Sequence, residues 1–373
     1  MIGTYRFLLA LFSGLMLGIA FPPVPSGLSA AFAFVPFFIL FESIEEYGLT
    51  FRYSYLIFLI FNVAGLYWTG GFTHCKDLYM MIAGILLLLF HPFFFCVPVI
   101  GWLFIRRQLG FKFAIFSFPF LWVAFEYLHC STEVGFPWLT LGNTQTYDIA
   151  LIQIASITGV FGISFWLLWM NVLAFLLFVK LYLKEWNAFS YRSVVTLLGI
   201  VLLYFLPKFY GNYILSTPKE EETKKVKIAV VQPNIDTFEK WSGDYEIPLQ
   251  IVQKLTNEIA DKQVDLVIWP ETAMPFYILH PKNRYFFELV RRQIDTLNVS
   301  LLTGMPDIYY YSERDNIPRS SKISVDGQRY DTFNSCIMIS PHREELQKYA
   351  KIVLVPFAER VPFSEELSFL NVV

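Results

Sequence analysis

Long apolar runs fill the first 215 residues, whereas from Pro218 onward charged and apolar positions alternate as in an ordinary globular domain. A helix needs about 20 apolar residues to cross a bilayer. Seven runs approach that length, at roughly 5–21, 28–42, 53–73, 78–105, 112–130, 155–179 and 193–211. The first leads into the turn-forming FPPVPSG rather than a small-residue cleavage site, so it reads as a retained span.

After Lys224 the periodicity changes. KVKIAVVQPNI reads as a strand. IPLQIVQKLTNEIA puts Ile247, Ile251, Val252, Leu255 and Ile259 on one helical face. VDLVIWPET is a second strand ending at a carboxylate, RYFFELVRRQID a second helix and VSLLTGM a third strand. The polar segment from Asp307 to Tyr330 reads as a loop or hairpin insertion, and DTFNSCIMIS and KIVLVPF as further strands. Such alternation argues an α/β domain, in which sites gather at the C-terminal ends of strands. Glu271 stands at such an end. Lys351 stands at the start of its run, so this rule alone does not bring the two together.

Composition sharpens the division. The 373 residues are 55% hydrophobic, 18% aromatic and only 16% charged, with mean hydropathy +0.48. Residues 1–215 are therefore expected to be a transmembrane helical bundle and residues 216–373 a separate domain. A net charge of −2, without a basic surface interleaved with aromatics, argues against nucleic acid as a partner. Cys75, Cys96, Cys130 and Cys336 are widely spaced and form no CxxC pair, so they give neither a zinc pattern nor a disulfide framework.

Charge also sets orientation. With a cytoplasmic N-terminus, the inner segments carry Arg6, Arg52, Arg106, Arg107, Lys112, Lys180, Lys184 and Arg192, while the outer loops before the last span carry only Lys76. Seven crossings then place everything after about residue 212 on the outer face, which in a bacterial inner membrane is the periplasm. Within the spans, Glu126 and His91 are ionisable residues in or near apolar runs, and such residues are functional candidates unless a neighbouring helix satisfies them. The outer loop STEVGFPWLTLGNTQTYD holds Trp138, which reads either as an interfacial anchor or as lining for a lipid entrance.

The segments VQPNI, WPETA, LLTGM, DTFNS and YAKIVLVPFAERVPF, in this order and spacing, resemble the nitrilase (carbon–nitrogen hydrolase) superfamily. Behind a seven-span bundle and GFPWLTLGNTQ, they look like the apolipoprotein N-acyltransferase family of bacterial inner-membrane enzymes that complete lipoprotein maturation. The resemblance covers nearly the whole chain. It implies a multi-pass α-helical membrane bundle of about seven spans followed by an α/β nitrilase-like α-β-β-α sandwich. It carries the family's catalytic glutamate onto Glu271, its lysine onto Lys351 and the glutamate of its PFGE segment onto Glu359, where this chain reads PFAE. Ala358 in place of glycine is a departure that stiffens the turn. The entrance aromatic falls on Trp241, with Trp138 as a second substrate-binding candidate.

These residue types suit acyl transfer from a phospholipid donor to the α-amino group of a diacylglyceryl-cysteine lipoprotein. A thiolate opens the ester, Glu271 moves the protons, Lys351 faces the oxyanion and Glu359 orients one of the two. The plain reading of Glu359 is a surface charge in a turn. No metal or organic cofactor is implied, and a monomer in contact with the membrane is expected.

The family's nucleophilic cysteine lies further downstream than Val373. Cys336, among apolar neighbours in FNSCIM, is expected to be an inert buried strand residue. The chain is accordingly expected to be a fragment with an incomplete sandwich, inactive as it stands and exposing apolar surface. A degenerate, non-catalytic lipid- or lipoprotein-binding homologue and a membrane-tethered amidase are the alternatives.

Overall fold

The computed structural model describes residues 2–71, 78–217, 225–235, 240, 246–259, 262–319, 321–356, 359 and 362–363. They fall into two compact units, Met1–Glu220 and Glu221–Val373, each described by itself.

The first unit is helical: α1 (Ile2–Gly18), α2 (Phe34–Glu42), α3 (Tyr47–Leu66), α4 (Leu78–Leu109), α5 (Phe111–Cys130), α6 (Ala155–Tyr182) and α7 (Tyr191–Ser216). Among the described residues, five helical segments are long and apolar enough to cross a membrane: Tyr47–Gly70, Leu78–Leu109, Phe111–Cys130, Leu151–Tyr182 and Tyr191–Ser216. The two remaining apolar runs form shorter helical segments, Gly3–Gly18 and Leu28–Glu42. The second is broken because a one-turn 3-10 helix, Leu28–Ala31, precedes α2.

That break exposes backbone groups in an apolar interior, where each needs a partner. Asn171 of α6, fully buried, supplies them. Its Oδ1 accepts from the Phe34 N–H at 2.8 Å, and its Nδ2 donates to Ala30 O at 2.8 Å. At the other end of α2, the buried Arg106 guanidinium donates to the carbonyls of Phe41, Glu42 and Ile44 and to the Glu45 carboxylate. Between these two clamps, Phe34, Phe37, Phe38 and Phe41 pack against Trp102, Phe118, Trp122 and Phe175, with ring centroids 5.0–6.4 Å apart. Edge-on and tilted rings fill the core, as their quadrupoles favour.

The second unit is built on one mixed sheet. Its elements are β1 (Ile228–Val230), α8 (Glu246–Asn257), β2 (Leu266–Ile268), α9 (Arg284–Leu297), β3 (Ser300–Tyr310), β4 (Lys322–Ile323), β5 (Arg329–Ile339) and β6 (Leu346–Ala350). β1, β2 and β3 are parallel neighbours, β5 runs antiparallel to β3, and β4 and β6 both pair antiparallel with β5. One sheet face carries Val267, Leu301, Met305, Ile337 and Ile339 into a core with Val252 of α8 and Val290 and Ile294 of α9. The opposite face carries Gly304, Asn334 and Cys336, since pleating alternates successive residues.

Three expectations change in detail. The buried face of α8 is Pro248, Leu249, Val252 and Thr256, with Ile247 turned out. The reason is that Thr256 Oγ1 receives the indole N–H of the buried Trp269 at 2.8 Å, which fixes the helix rotation. The segment from Asp307 to Tyr330 takes the hairpin reading at its ends and in β4, because β3 extends to Tyr310, β4 pairs with β5 and β5 begins at Arg329. KIVLVPF is not a strand through Val355. The strand lies earlier, where Leu346 pairs with buried Ile339 and Lys348 with buried Ile337, and Ile352 and Val353 are exposed beyond it.

The double role of Asn171 is open to test. Asn171→Leu keeps the branched shape of the side chain but strands the Phe34 N–H and the Ala30 carbonyl in the interior. A loss of about 1–3 kcal/mol is expected from each orphaned group. Thermal unfolding in detergent reads it, and an unchanged transition would show that α2 is held otherwise.

Candidate active site

Glu271 lies three residues beyond the end of β2, after Trp269, whose N–H continues the ladder onto Leu302 O at 2.9 Å. The next residue, Thr272, has φ 51°, a left-handed conformation that β-branched residues rarely adopt. It costs of order 1–2 kcal/mol and persists only where the surroundings enforce it. Gly304 of β3 is part of that enforcement. A Cβ there would lie 2.7 Å from both Glu271 Cα and Thr272 N, so the Glu271 turn packs directly on strand backbone. Lys240 Nζ donates to the Glu271 carbonyl at 3.3 Å.

Lys351 follows the last residue of β6, and its N–H donates to Asn334 O at 2.8 Å, one step past the ladder. β6 is antiparallel to β5 and β5 to β3, so β6 runs parallel to β3 and β2. Lys351 is therefore also at a C-terminal strand end. This overturns the sequence expectation that the strand-end rule fails for it, which followed from placing the strand after Lys351 rather than before it.

The three residues meet. Lys351 Nζ is 3.4 Å from Glu271 Oε1 and 2.9 Å from Glu359 Oε1. Asn334 Nδ2 donates to Glu271 Oε1 and to Glu359 Oε1, the latter at 2.9 Å. Glu359 Oε2 accepts the Val355 N–H at 2.8 Å, and the Glu359 N–H returns to Val355 O at 2.9 Å, closing the turn. Glu359 is thus a bonded part of the cluster and not a loose surface charge. The Glu271 side chain is 63% exposed, Lys351 33% and Glu359 24%, so Glu271 is the carboxylate a reactant can reach.

Electrostatics follow the contacts. The hydrogen bond that Lys351 donates to Glu359, opposed by partial burial and aided by the Glu271 charge, holds Lys351 above the usual lysine range. Burial pushes Glu359 up, but the Lys351, Val355 and Asn334 donors outweigh it and hold the carboxyl below its usual value. Burial lowers Lys240, against the attraction of Glu271.

Sequence reading missed Asn334, Thr272, Gly304 and Lys240. Only Asn334 left a signal, as an amide inside an otherwise apolar strand pattern. Cys336, expected to be buried, is half-buried and stands on the same sheet face as Asn334, directly opposite Gly304. Trp241 lies outside the described residues. In the helical unit, Trp138 is 54% exposed, with its ring 5.0 Å from that of Trp68. It lines a cleft of about 270 Å³ with Cys130, Pro137, Thr140, Asn143, Val160 and Phe161. Glu126 is buried, and its Oε1 accepts from Trp122 Nε1 at 3.0 Å and from the Leu141 N–H at 2.9 Å, tying the loop after α5 to that helix, whereas its Oε2 has no hydrogen-bond partner among the described residues. His91 bonds Asn62 Oδ1 through Nδ1 at 2.7 Å. Among the described residues, no three His, Cys, Asp or Glu side chains gather as metal ligands.

Residues 13–173 match the model of the apolipoprotein N-acyltransferase N-terminal domain, and residues 227–370 match that of the carbon-nitrogen hydrolases. The chain is 35% identical to the apolipoprotein N-acyltransferase of Chlorobaculum tepidum, over 98% of its own length and 67% of that protein. It is 31% identical to that of Geobacter metallireducens, over 98% of this chain and 66% of the relative. With that of Rickettsia prowazekii the figures are 25%, 97% and 68%. The chain thus spans about two thirds of the length of these relatives.

Two outcomes follow from the geometry. Gly304→Ala forces its new Cβ against unyielding backbone, so a loss of about 1–3 kcal/mol is expected on denaturant unfolding. Unchanged stability would mean the Glu271 turn is not seated on β3. For pH, Glu359 has a lowered folded value, so its contribution is complete above the usual carboxylate range and is lost as pH falls through the lowered value. Lys351 is raised, so its contribution is complete below the usual lysine range and is lost as pH rises through the raised value. The stability gap between wild type and Glu359→Gln should therefore shrink once pH drops below about 4, and a gap that stays constant in acid would contradict the cluster.

Proposed function

The chain belongs to the apolipoprotein N-acyltransferase family, and we propose that Glu271, Lys351 and Glu359 are the proton-transfer and oxyanion machinery of lipoprotein N-acylation. The observation that carries this reading is the approach of the exposed Glu271 carboxylate to the Lys351 ammonium at 3.4 Å, with Glu359 bonded behind the ammonium.

In the first half-reaction, Glu271 takes the proton of a cysteine thiol as sulfur bonds to the ester carbonyl carbon of a phospholipid. The carbonyl oxygen gains charge and is faced by Lys351, which stays cationic because Glu359 and Glu271 hold its proton. The ester C–O bond breaks, and the proton passes from Glu271 to the departing lysophospholipid oxygen. In the second half-reaction, the α-amine of an S-diacylglyceryl-cysteine attacks the thioester, Glu271 accepts the amine proton, and as the C–S bond breaks that proton passes from Glu271 to the sulfur, leaving an amide and the thiol. The described residues supply the base and the cation. The thiol is assigned to none of Cys96, Cys130 and Cys336, as no hydrogen bond links any of these to the cluster.

We place this chemistry at the outer surface of a bacterial inner membrane, with seven spans in residues 1–215 and a periplasmic domain in 216–373, acting as a monomer. The lysine and arginine asymmetry of the loops supports the orientation. The division of the structure between Glu220 and Glu221 supports the boundary. Trp138 and Trp241 are assigned to the substrate path, on the exposed indole beside an apolar cleft for the first and on the motif match alone for the second.

Protein expressed from its gene, in membrane vesicles with a phospholipid donor and a diacylated lipopeptide, should yield triacylated product. Glu271→Gln should lower turnover at least 10²-fold, on the order expected for a lost general base, without altering membrane insertion. Normal turnover in that variant would end the assignment. For topology, single cysteines at Asn143 and Glu185 in a Cys-free background should react with a membrane-impermeant maleimide in intact cells at 143 and not at 185. Labelling at 185 would overturn the seven-span arrangement.

A further inference from the structure

We propose that Asn334 is the positioning residue that makes Glu271 a one-sided base, pinning Oε1 so that Oε2 alone takes the proton. The proposal rests on the reading of Glu271 as the base.

The argument is an inventory of donors. A side-chain amide has two N–H donors, and those of Asn334 go to two different carboxylates, Oε1 of Glu271 and Oε1 of Glu359. Lys351 Nζ donates to the same two atoms, at 3.4 and 2.9 Å. Both Oε1 atoms thus receive two donors. The Oε2 atoms differ. That of Glu359 is committed to the Val355 N–H at 2.8 Å, whereas among the described residues no hydrogen bond to Oε2 of Glu271 is present. An oxygen whose lone pairs already receive an amide and an ammonium is a poor proton acceptor. The other oxygen of the same carboxylate keeps its lone pairs and, on a side chain 63% exposed, can reach a reactant.

The remaining surroundings serve the same end. The Glu271 main chain is fixed by the Lys240 ammonium on its carbonyl and by its seat on Gly304, so its side chain starts from a set origin. Asn334 is itself held by the ladder, since its carbonyl receives the Lys351 N–H. One strand residue therefore places the base and the cation together. The Lys348–Asp307 ion pair, on residues that register with the opposite sheet face, takes no part. An amide is needed here because aspartate at this place would put a third anion on one ammonium, and an apolar residue would leave two carboxylates sharing Lys351 alone.

The test is infrared spectroscopy of the full chain in detergent micelles. The Glu271 carboxylate bands are isolated as the difference between wild type and Glu271→Gln. Unequal hydrogen bonding to the two oxygens separates the antisymmetric and symmetric stretches, so the wild-type separation should exceed that of a free glutamate. In Asn334→Leu it should narrow. In Asn334→Ser, whose single O–H can serve only one carboxylate, it should fall between the two. In the vesicle assay kcat should drop about 10- to 100-fold with KM within about twofold, as expected when a hydrogen bond to a charged catalytic group is lost. An unchanged band separation in both variants overturns the proposal, as does a turnover loss that lies in KM. Should Asn334→Leu fail to fold, Asn334→Ser alone decides it. The spectrum does not depend on turnover. A narrowed separation without any acyl transfer by wild type keeps the clip and removes the N-acylation reading, while transfer with unchanged bands does the reverse.

Discussion

Glu271 and Glu359 are like charges whose carboxylate oxygens converge on one point, and they can do so only because one ammonium and one amide stand between them. Like-charged carboxylates at such range ordinarily force one of the two to take up a proton. Lys351 and Asn334 remove that pressure, and the rest of the sheet exists in the form that delivers them there. β6 must run parallel to β2 for Lys351 to emerge on the same side as Glu271, and β5 must lie between β3 and β6 for Asn334 to reach both carboxylates. The strained Thr272 and the glycine at 304 are the local consequences of bringing a chain turn within backbone contact of β3.

The site divides its labour by exposure. Glu359, the least exposed of the three, has donors on both oxygens and fixes the cation. Glu271 is the most exposed and keeps one oxygen without a partner among the described residues. Two chemically identical side chains thus become an enclosed anion and an exposed one without any difference in residue type, because environment rather than identity sets how each carboxylate is held.

How far the sequence led depends on the range of the interaction that decided each feature. The apolar runs predicted the helices of the first unit because hydropathy is summed over whole turns, although the 3-10 break before α2 depends on Asn171, 137 positions away from the Phe34 it serves. The strands within VDLVIWPET and DTFNSCIMIS were legible from short apolar runs, and Glu271, Lys351 and Glu359 were picked out by motif resemblance. KIVLVPF misled because an apolar run cannot say whether a partner strand is present. LQKYA, a weaker strand by composition, has its partner in Ile337 and Ile339 and wins. The role of Asn334, which showed only as an amide in a strand, and the backbone of Thr272 escaped for a related reason. Nothing local in FNS or ETA tells that an amide will face two carboxylates 63 and 25 positions away, or that a threonine will be forced to positive φ.

The same accounting of polar groups separates stability from chemistry across both units. In the helical unit Asn171, Arg106 and Glu126 reach backbone: Asn171 the start of α2, Arg106 its end and Glu126 the Leu141 N–H, whereas His91 bonds the Asn62 side chain. Burial makes such bonds costly to break, and the loop or helix end they hold becomes part of a fixed frame. In the sheet unit the cluster bonds side chain to side chain, and its central carboxylate remains open to solvent. A group whose every partner is internal can only hold the fold. A group with internal partners on one side and none on the other is held in place and still able to react, and among the ionisable residues of the cluster that description fits Glu271.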